Sequence, residues 1–279
     1  MNKCRKGLTY MKQHLIVLDL DGTLLTDKQT ISPYTKEMLT KAKEAGHKVM
    51  IATGRPFRAS QVYYNELALT TPIVNFNGAF IHHPRNKSWG EMHSPIAMSV
   101  VHDVVDSVNK FQYENLIAEV IDDVYIHENN TDLINIFNTG NPRVTTGNLK
   151  FNLLEDPTSL LIQADDFNVP IIRQHLHDVH AELIEHRKWG APFPIIEIVR
   201  KGLNKAVGIS RVAHDLDIPR ERIIAFGDED NDLEMIDYAG IGVAMNNGIS
   251  ELKSIANETT LSNNEDGIGI FLADRLNLK

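Results

Sequence analysis

Predicted strands and helices alternate near both ends of the 279-residue chain, and this alternation restricts the fold more than any other feature. Near the start, the apolar run Leu15–Leu18 predicts a short buried strand, and Ser32 followed by Pro33 predicts the beginning of a helix. Near the end, a helical stripe that begins at Ala206 precedes a second apolar strand, Ile223–Phe226. Because parallel strands need crossover connections, this order predicts an α/β fold with a doubly wound parallel sheet covered on both faces.

The segment between these two ends is long enough to form a domain of its own. Residues 84–192 have their own apolar periodicity, with valines at helical spacing between positions 101 and 108. Runs that contain proline or glycine flank the segment at 84–87 and 190–194 and are typical of linkers. We predict a core of residues 12–83 plus 193–279, an inserted α/β domain of residues 84–192, and a disordered extension at 1–11, with Met11 as an alternative start.

Charge and the lengths of the apolar runs argue against several classes of partner. The net charge of −9 at pH 7 disfavours a nucleic-acid partner. No apolar run approaches the length of a membrane-spanning helix, and the basic N-terminus lacks the apolar core of a signal peptide, so we expect no membrane partner. The single cysteine, Cys4, cannot form an internal disulfide bond, which favours a reducing compartment and a cytoplasmic location. Nothing in the sequence indicates an oligomeric state.

Two acidic residues stand where the first predicted strand ends, in the run Asp19-Leu20-Asp21-Gly22-Thr23. In open α/β sheets, ligands bind beyond the carboxyl ends of the strands. Two carboxylates held there would each raise the pKa of the other unless they shared a cation or a proton. The same run is also typical of a plain strand-to-loop turn, so on its own it leaves both interpretations open.

Further polar groups follow other predicted strands or begin a helix. Thr53-Gly54-Arg55 follows a further strand, predicted at Lys48–Ala52, and offers a hydroxyl group and backbone amides, and Lys205 stands at the start of a helix. The strand that ends near residue 226 leads into the acidic run GDEDND at 227–232. Oxygen ligands suit the hard cation Mg²⁺, and amide, hydroxyl and ammonium donors suit phosphate oxygens. Together these groups predict a Mg²⁺-assisted phosphoryl-transfer site.

Four motifs in order, DLDGT at 19–23, TGR at 53–55, Lys205 and GDEDND, resemble the four motifs of the haloacid dehalogenase superfamily. The segments ATGRPF and NGA and the position of the insertion resemble its Cof-type phosphatase branch. The resemblance extends from about Lys12 to the end of the chain. It implies a Rossmann-like core with a mobile α/β cap domain inserted after the third strand, predicted at Ile73–Phe76, in agreement with the alternation and the domain-sized insertion.

The resemblance also implies roles for individual residues. Asp19 is expected to be the nucleophile that forms an aspartyl-phosphate, and Asp21 the general acid and then the general base. The groups expected to hold Mg²⁺ are the Asp19 carboxylate, the Asp21 backbone carbonyl and Asp228, with Glu229 and Asp232 as direct or indirect ligands. The groups expected to bind the phosphoryl oxygens are the Leu20 and Gly54 amides, the Thr53 hydroxyl, Lys205 and Asn231.

The expected function is that of a Mg²⁺-dependent phosphatase that hydrolyses a small phosphorylated metabolite, such as a sugar phosphate or a cofactor phosphate. A phosphomutase or other phosphotransferase of the same superfamily would carry the same core residues and differ in what reaches the aspartyl-phosphate. A receiver-like signalling module also combines Asp, Thr and Lys around Mg²⁺, but it leaves the insertion unexplained. A hydrolytic dehalogenase fits least, because it has no leaving alkoxide to protonate and so no use for the second acid, Asp21.

Overall fold

A computed structural model describes residues 12–188 and 194–278. The predicted extension at 1–11, which includes Cys4 and the alternative start at Met11, lies outside the described residues. The strands are β1 (Leu15–Leu18), β2 (Lys48–Ile51), β3 (Ile73–Asn75), β4 (Phe80–His82), β5 (Glu91–His93), β6 (Asn115–Val120), β7 (Asp123–Ile126), β8 (Val144–Thr146), β9 (Ser159–Gln163), β10 (Ile184–Lys188), β11 (Ile195–Arg200), β12 (Ile223–Gly227), β13 (Ile241–Ala244) and β14 (Glu258–Thr259). The α-helices are α1 (Pro33–Glu44), α2 (Phe57–Glu66), α3 (Met98–Val108), α4 (Thr131–Phe137), α5 (Leu149–Asn152), α6 (Asn168–His180), α7 (Lys205–Asp215), α8 (Leu233–Tyr238), α9 (Ser250–Ile255) and α10 (Gly267–Arg275).

The chain divides into two compact units, whose described residues are 12–50 with 210–278, and 51–188 with 194–209. A five-stranded sheet has the order β14-β13-β12-β1-β2, and β2 ends at the boundary between the units. Within the first unit, β1 pairs in parallel with β12, β12 with β13, and β13 with β14. The apolar residues of β1 are fully buried, as expected for a strand covered on both faces. The predicted α/β fold with a parallel sheet is confirmed.

The first helix begins where the sequence predicts it. The Ser32 hydroxyl accepts a hydrogen bond from the Thr35 amide at 3.2 Å, and Pro33 occupies the first helical turn, where its missing N–H costs nothing. The apolar face of α1 packs into the core through the buried residues Met38, Leu39 and Ala42. Local capping signals therefore determined this boundary.

The second unit contains a six-stranded sheet with the order β10-β11-β9-β6-β7-β8. Leu116 and Ala118 on β6 pack with residues of α3 and α6, whereas Ile117 between them packs with residues of α4, so helices lie against both faces. The predicted insertion ends at residue 192, but this sheet continues beyond it, because β11 pairs with β9 and β10. The pairing favours an end of the inserted domain after Arg200, and the domain limits stay a prediction. None of the helices in 12–188 and 194–278 is long and apolar enough to cross a membrane.

The second unit also contains a three-stranded sheet, β3-β4-β5, in which His82 is enclosed by aromatic rings. Its imidazole stacks on Phe80, with ring centroids 4.7 Å apart, and meets the edge of Phe57 at 4.6 Å. The Nε2 atom has no hydrogen-bond partner among the described residues. Burial, reinforced by the nearby charge of His83, lowers the pKa of His82 from 6.5 to about 4.

This lowered pKa makes stability depend on pH. Below the unfolded-state pKa of 6.5, His82 is protonated in the unfolded chain but stays neutral in the folded chain. Stability is therefore lost as the pH falls from 6.5 towards 4. The free energy of unfolding of the parent should therefore fall between about pH 7 and about pH 5. With a discount for partial exposure, we expect this fall to be about 1 kcal/mol smaller in His82→Leu. Urea unfolding at the two pH values measures the difference. His102→Leu, at an exposed position on α3, serves as the control and should match the parent.

Candidate active site

Three buried carboxylates converge in the first unit at the carboxyl ends of two paired strands. Asp19 follows β1 and Asp228 follows β12, and the parallel register, with Leu18 opposite Phe226, brings both to the same edge of the sheet. Asp232 stands four residues after Asp228, at the end of a short 3₁₀ turn. One carboxylate oxygen from each of the three lies within 4.8 Å of the others, and all three residues are buried. We refer to Asp19, Asp228 and Asp232 as the acidic trio.

Hydrogen bonds and one glycine fix the orientation of the trio. The Thr23 hydroxyl donates to Asp228 Oδ1 at 2.6 Å. Asp232 Oδ2 accepts the amides of Asp228 at 2.9 Å and Glu229 at 3.2 Å. Gly22 has a φ of +72°, and a Cβ at this position would lie 2.2 Å from Asp228 Oδ2, so a larger residue would displace that carboxylate.

The electrostatics of the trio favour a bound cation. Three carboxylates removed from water at this distance repel one another unless a cation or shared protons reduce their charge. An oxygen-only ligand set suits a hard divalent cation better than a soft one. The residues present therefore fit a divalent metal site.

The other acids predicted for the site lie around the trio. The side chain of Asp21 is exposed and therefore accessible to water. It accepts a hydrogen bond from Gln29 Nε2 at 3.4 Å. Glu229 is not a member of the trio, and its carboxylate accepts the Asp230 amide at 3.4 Å. Partial burial and the like charges of Asp230 and Asp232 raise the pKa of Glu229, although the Asp230 amide opposes the shift. Asn231 is partly buried within the same 3₁₀ turn.

The predicted phosphate-binding groups of the second unit meet around Asn77 and Gly78. The Asn77 amide donates to the Thr53 carbonyl at 3.1 Å, and a Cβ on Gly54 would lie 3.2 Å from Asn77 Nδ2. Gly78 has a φ of +101°, and a Cβ added at this position would lie 2.4 Å from the carbonyl oxygen of Asn204, the residue before Lys205. Lys205 is fully buried. The Asn77–Gly78 turn thus touches both the Thr53–Gly54 loop and the start of α7.

Asn77 is absent from the site residues predicted from the sequence, although its contacts hold much of this arrangement together. Its side-chain amide donates to the buried carboxylate of Glu197 at 3.2 Å, and its φ of 51° lies in the left-handed region. An Asn-Gly pair that follows β3 after one intervening residue favours such a turn, so the pair is the signal that the sequence offers. Its contact with Glu197 joins positions 120 residues apart, and no local pattern predicts it.

The chain is similar to known proteins over nearly its whole length. A family model described as haloacid dehalogenase-like hydrolase matches residues 16–272. The 5-amino-6-(5-phospho-D-ribitylamino)uracil phosphatase YitU of Bacillus subtilis is 54% identical, over 96% of this chain and 99% of its own. The pyridoxal phosphate phosphatase YbhA of Escherichia coli is 30% identical, over 95% of this chain and 100% of its own.

Solved structures give the same fold. A haloacid dehalogenase-like hydrolase from Bacteroides thetaiotaomicron superposes with a TM-score of 0.79 at 28% identity, covering 95% of this chain and 100% of that one. A haloacid dehalogenase-like hydrolase from B. subtilis also gives a TM-score of 0.79, at 25% identity, covering 93% of this chain and 99% of that one. Both matches extend over nearly the whole chain.

Proposed function

Because the chain belongs to the haloacid dehalogenase-like hydrolases and is a phosphatase of that family, we propose that it hydrolyses a small phosphorylated metabolite through an aspartyl-phosphate on Asp19. The observation that carries the proposal is the acidic trio, which holds Asp19 beside two further buried carboxylates at the edge of the sheet. A lone exposed aspartate would not need such surroundings, whereas a nucleophile that works beside a cation does.

The reaction proceeds in two displacements at phosphorus. Asp19 attacks the phosphoryl group, so that an Asp19 oxygen–phosphorus bond forms while the bond to the ester oxygen breaks. Asp21 donates a proton to the departing alkoxide. In the second displacement, Asp21 takes a proton from the attacking water, whose oxygen bonds to phosphorus while the Asp19 oxygen–phosphorus bond breaks, which gives inorganic phosphate and the free Asp19 carboxylate. The exposed position of the Asp21 side chain suits both proton transfers.

The remaining groups bind and orient the substrate. We assign the Thr53 hydroxyl, the Gly54 and Leu20 amides, Lys205 and Asn231 to the phosphoryl oxygens. These donors would stabilise the charge that develops in the transition state. With oxyanion-hole donors as the precedent, removal of any one of them should raise the activation barrier by roughly 3 to 4 kcal/mol. The backbone supports this role for Thr53, since its amide and carbonyl are fixed by Val74 and Asn77 at 2.9 and 3.1 Å and its side chain accepts the Arg55 amide.

We propose Mg²⁺ as the cation of the acidic trio. Asp19 and Asp228 would hold it with the Asp21 backbone carbonyl, and Asp232 and Glu229 would be direct or water-mediated ligands. When bound, Mg²⁺ supplies positive charge that offsets the carboxylates and the phosphoryl oxygens. Asp232 already accepts two backbone amides, so orienting Asp228 is the role that its contacts support best.

We propose 5-amino-6-(5-phospho-D-ribitylamino)uracil as the substrate, since the 54% identical relative is named for this ester and the match covers both chains almost completely. Pyridoxal phosphate, from the name of the relative at 30% identity, is the second candidate. The low cysteine content supports a cytoplasmic location for this activity.

Steady-state kinetics on a panel of phosphate esters tests the substrate. We expect kcat/KM for the ribitylaminouracil ester to exceed that for pyridoxal phosphate and for hexose phosphates by at least about tenfold, because a site that hydrogen-bonds one leaving group rejects groups that leave its polar atoms unpaired. Preference for another ester would contradict the proposed substrate but not the proposed reaction. No release of phosphate from any ester would remove the proposed function.

A further inference from the structure

The first turn of α2 is capped by a residue distant in sequence. Pro56 occupies the N-cap position and makes no side-chain capping hydrogen bond, so the first amides of the helix need other acceptors. The Arg58 amide donates to Asp122 Oδ1 at 3.0 Å. Asp122 belongs to the turn between β6 and β7, 64 residues further along the chain. The β6–β7 turn therefore completes the start of α2.

A buried ion pair joins the same two segments. The Arg58 guanidinium contacts the Glu119 carboxylate on β6, and both side chains are at most 5% exposed. The second Glu119 oxygen accepts the Ser159 hydroxyl at 3.2 Å, and Arg58 Nη1 donates to the Ile121 carbonyl at 3.4 Å. Because a buried charge without its partner is strongly unfavourable, this pair holds the β6–β7 turn against α2.

The surroundings allow these groups little freedom. Ile121, a β-branched residue, has a φ of 54°, a conformation that persists only where neighbours enforce it. Its amide donates to Thr158 Oγ1 at 2.8 Å. On the other side, Gly140 has a φ of +82°, and a Cβ there would lie 2.6 Å from the Arg58 Cβ atom. A strained turn thus places Asp122 and the Ile121 carbonyl at Arg58.

The start of α2 is bonded to the loop that precedes it. Arg55 Nη1 donates to the Ala59 carbonyl at 3.4 Å, and the Arg55 amide donates to Thr53 Oγ1 at 3.1 Å. Only Pro56 and Phe57 separate Arg55 from Arg58. A shift of the first turn of α2 is therefore transmitted to the Thr53 hydroxyl and the Gly54 amide.

We infer that Arg58, Glu119 and Asp122 are positioning residues, which hold the Thr53–Arg55 loop in place by anchoring the first turn of α2 to the β6–β7 turn. The inference rests on the proposed function for its kinetic consequence, because Thr53 and Gly54 are the phosphate donors of that proposal. Loop misplacement weakens donors that act on the transition state, so it lowers kcat more than it raises KM.

The double variant Arg58→Met/Glu119→Leu separates positioning from stability. Apolar residues of similar size in place of a buried ion pair are often neutral for stability. We expect an unfolding midpoint near that of the parent, a kcat lowered about tenfold, a KM changed by less than about threefold, and inhibition by orthovanadate weakened by about the same factor as kcat. Lys150→Met/Asp106→Leu removes an exposed ion pair and should match the parent.

Hydrogen exchange of the amides of residues 53–55, 57 and 58 decides the inference without turnover. We expect exchange in the Arg58→Met/Glu119→Leu variant to be at least about fivefold faster than in the parent and in the control. Asp122→Ala, which removes only the partly exposed cap, provides a second variant with faster exchange in the same amides. Unchanged exchange in a folded variant would overturn the inference. If the parent itself had no phosphatase activity, the proposed function would be contradicted, and the exchange result would still test the positioning role.

Discussion

Replacing Asp19 with asparagine should lower kcat by roughly 10⁴- to 10⁶-fold, the range seen when a protease loses one residue of its catalytic triad. An amide side chain cannot form the acyl phosphate on which both displacements depend. The substitution removes one of three like charges that lie within 4.8 Å, so the variant should stay folded. Phosphate release under saturating ester, with thermal unfolding in parallel, measures both effects.

Two matched variants sharpen this result. Asp237→Asn changes an exposed aspartate on α8 and should retain the parent kcat. Asp21→Asn should lower kcat by about 10²- to 10⁴-fold, the usual contribution of a general acid or base. A folded Asp19→Asn enzyme that turns over within about tenfold of the parent would contradict the assignment of the nucleophile.

Removal of divalent cations should lower turnover by roughly 10³-fold or more, since a metal at a phosphoryl-transfer site stabilises the transition state by several kcal/mol. The physical reason is the acidic trio, whose buried carboxylates hinder the approach of an anionic phosphate ester while they lack a counter-charge. Treatment with EDTA followed by a Mg²⁺ titration measures the loss and its recovery.

The same titration has a readout that does not need activity. Mg²⁺ at about one hundred times its dissociation constant should stabilise the folded chain by about 2.7 kcal/mol, because the ion binds only where the carboxylates converge. Asp228→Asn should shift both the stability and the activity titrations to higher Mg²⁺ concentrations, whereas Asp237→Asn should shift neither. Full activity and an unchanged unfolding midpoint in EDTA would show that the trio holds no essential metal.

Much of the architecture follows from local patterns in the sequence. Ser32 with Pro33 predicts the start of α1, and the apolar run from Ile223 predicts β12, because capping and strand burial depend on neighbours along the chain. The convergence of Asp19 and Asp228 follows from one further rule, that parallel strands end at the same edge of a sheet. The family itself follows from the order of four motifs.

Contacts between distant residues account for what the sequence did not reveal. The hydrogen bond from Thr23 to Asp228 joins positions 205 residues apart, and the pair Arg58–Glu119 joins positions 61 apart. Glu197 lies in β11, and only the fold brings it to Asn77. Likewise, β11 extends the second sheet past residue 192, because strand pairing and not composition decides where that sheet ends.

Chemical trapping of the acyl phosphate tests the central claim most directly. The Asp21→Asn variant, slowed in its second displacement, is mixed with substrate and Mg²⁺, quenched in acid and reduced with borohydride, which converts an aspartyl-phosphate to homoserine. Peptide mass spectrometry then locates the converted residue. The account predicts homoserine at position 19, dependent on both substrate and Mg²⁺ and absent when Asp19→Asn is added. Phosphate release without homoserine at position 19, or homoserine at a different aspartate, would contradict it.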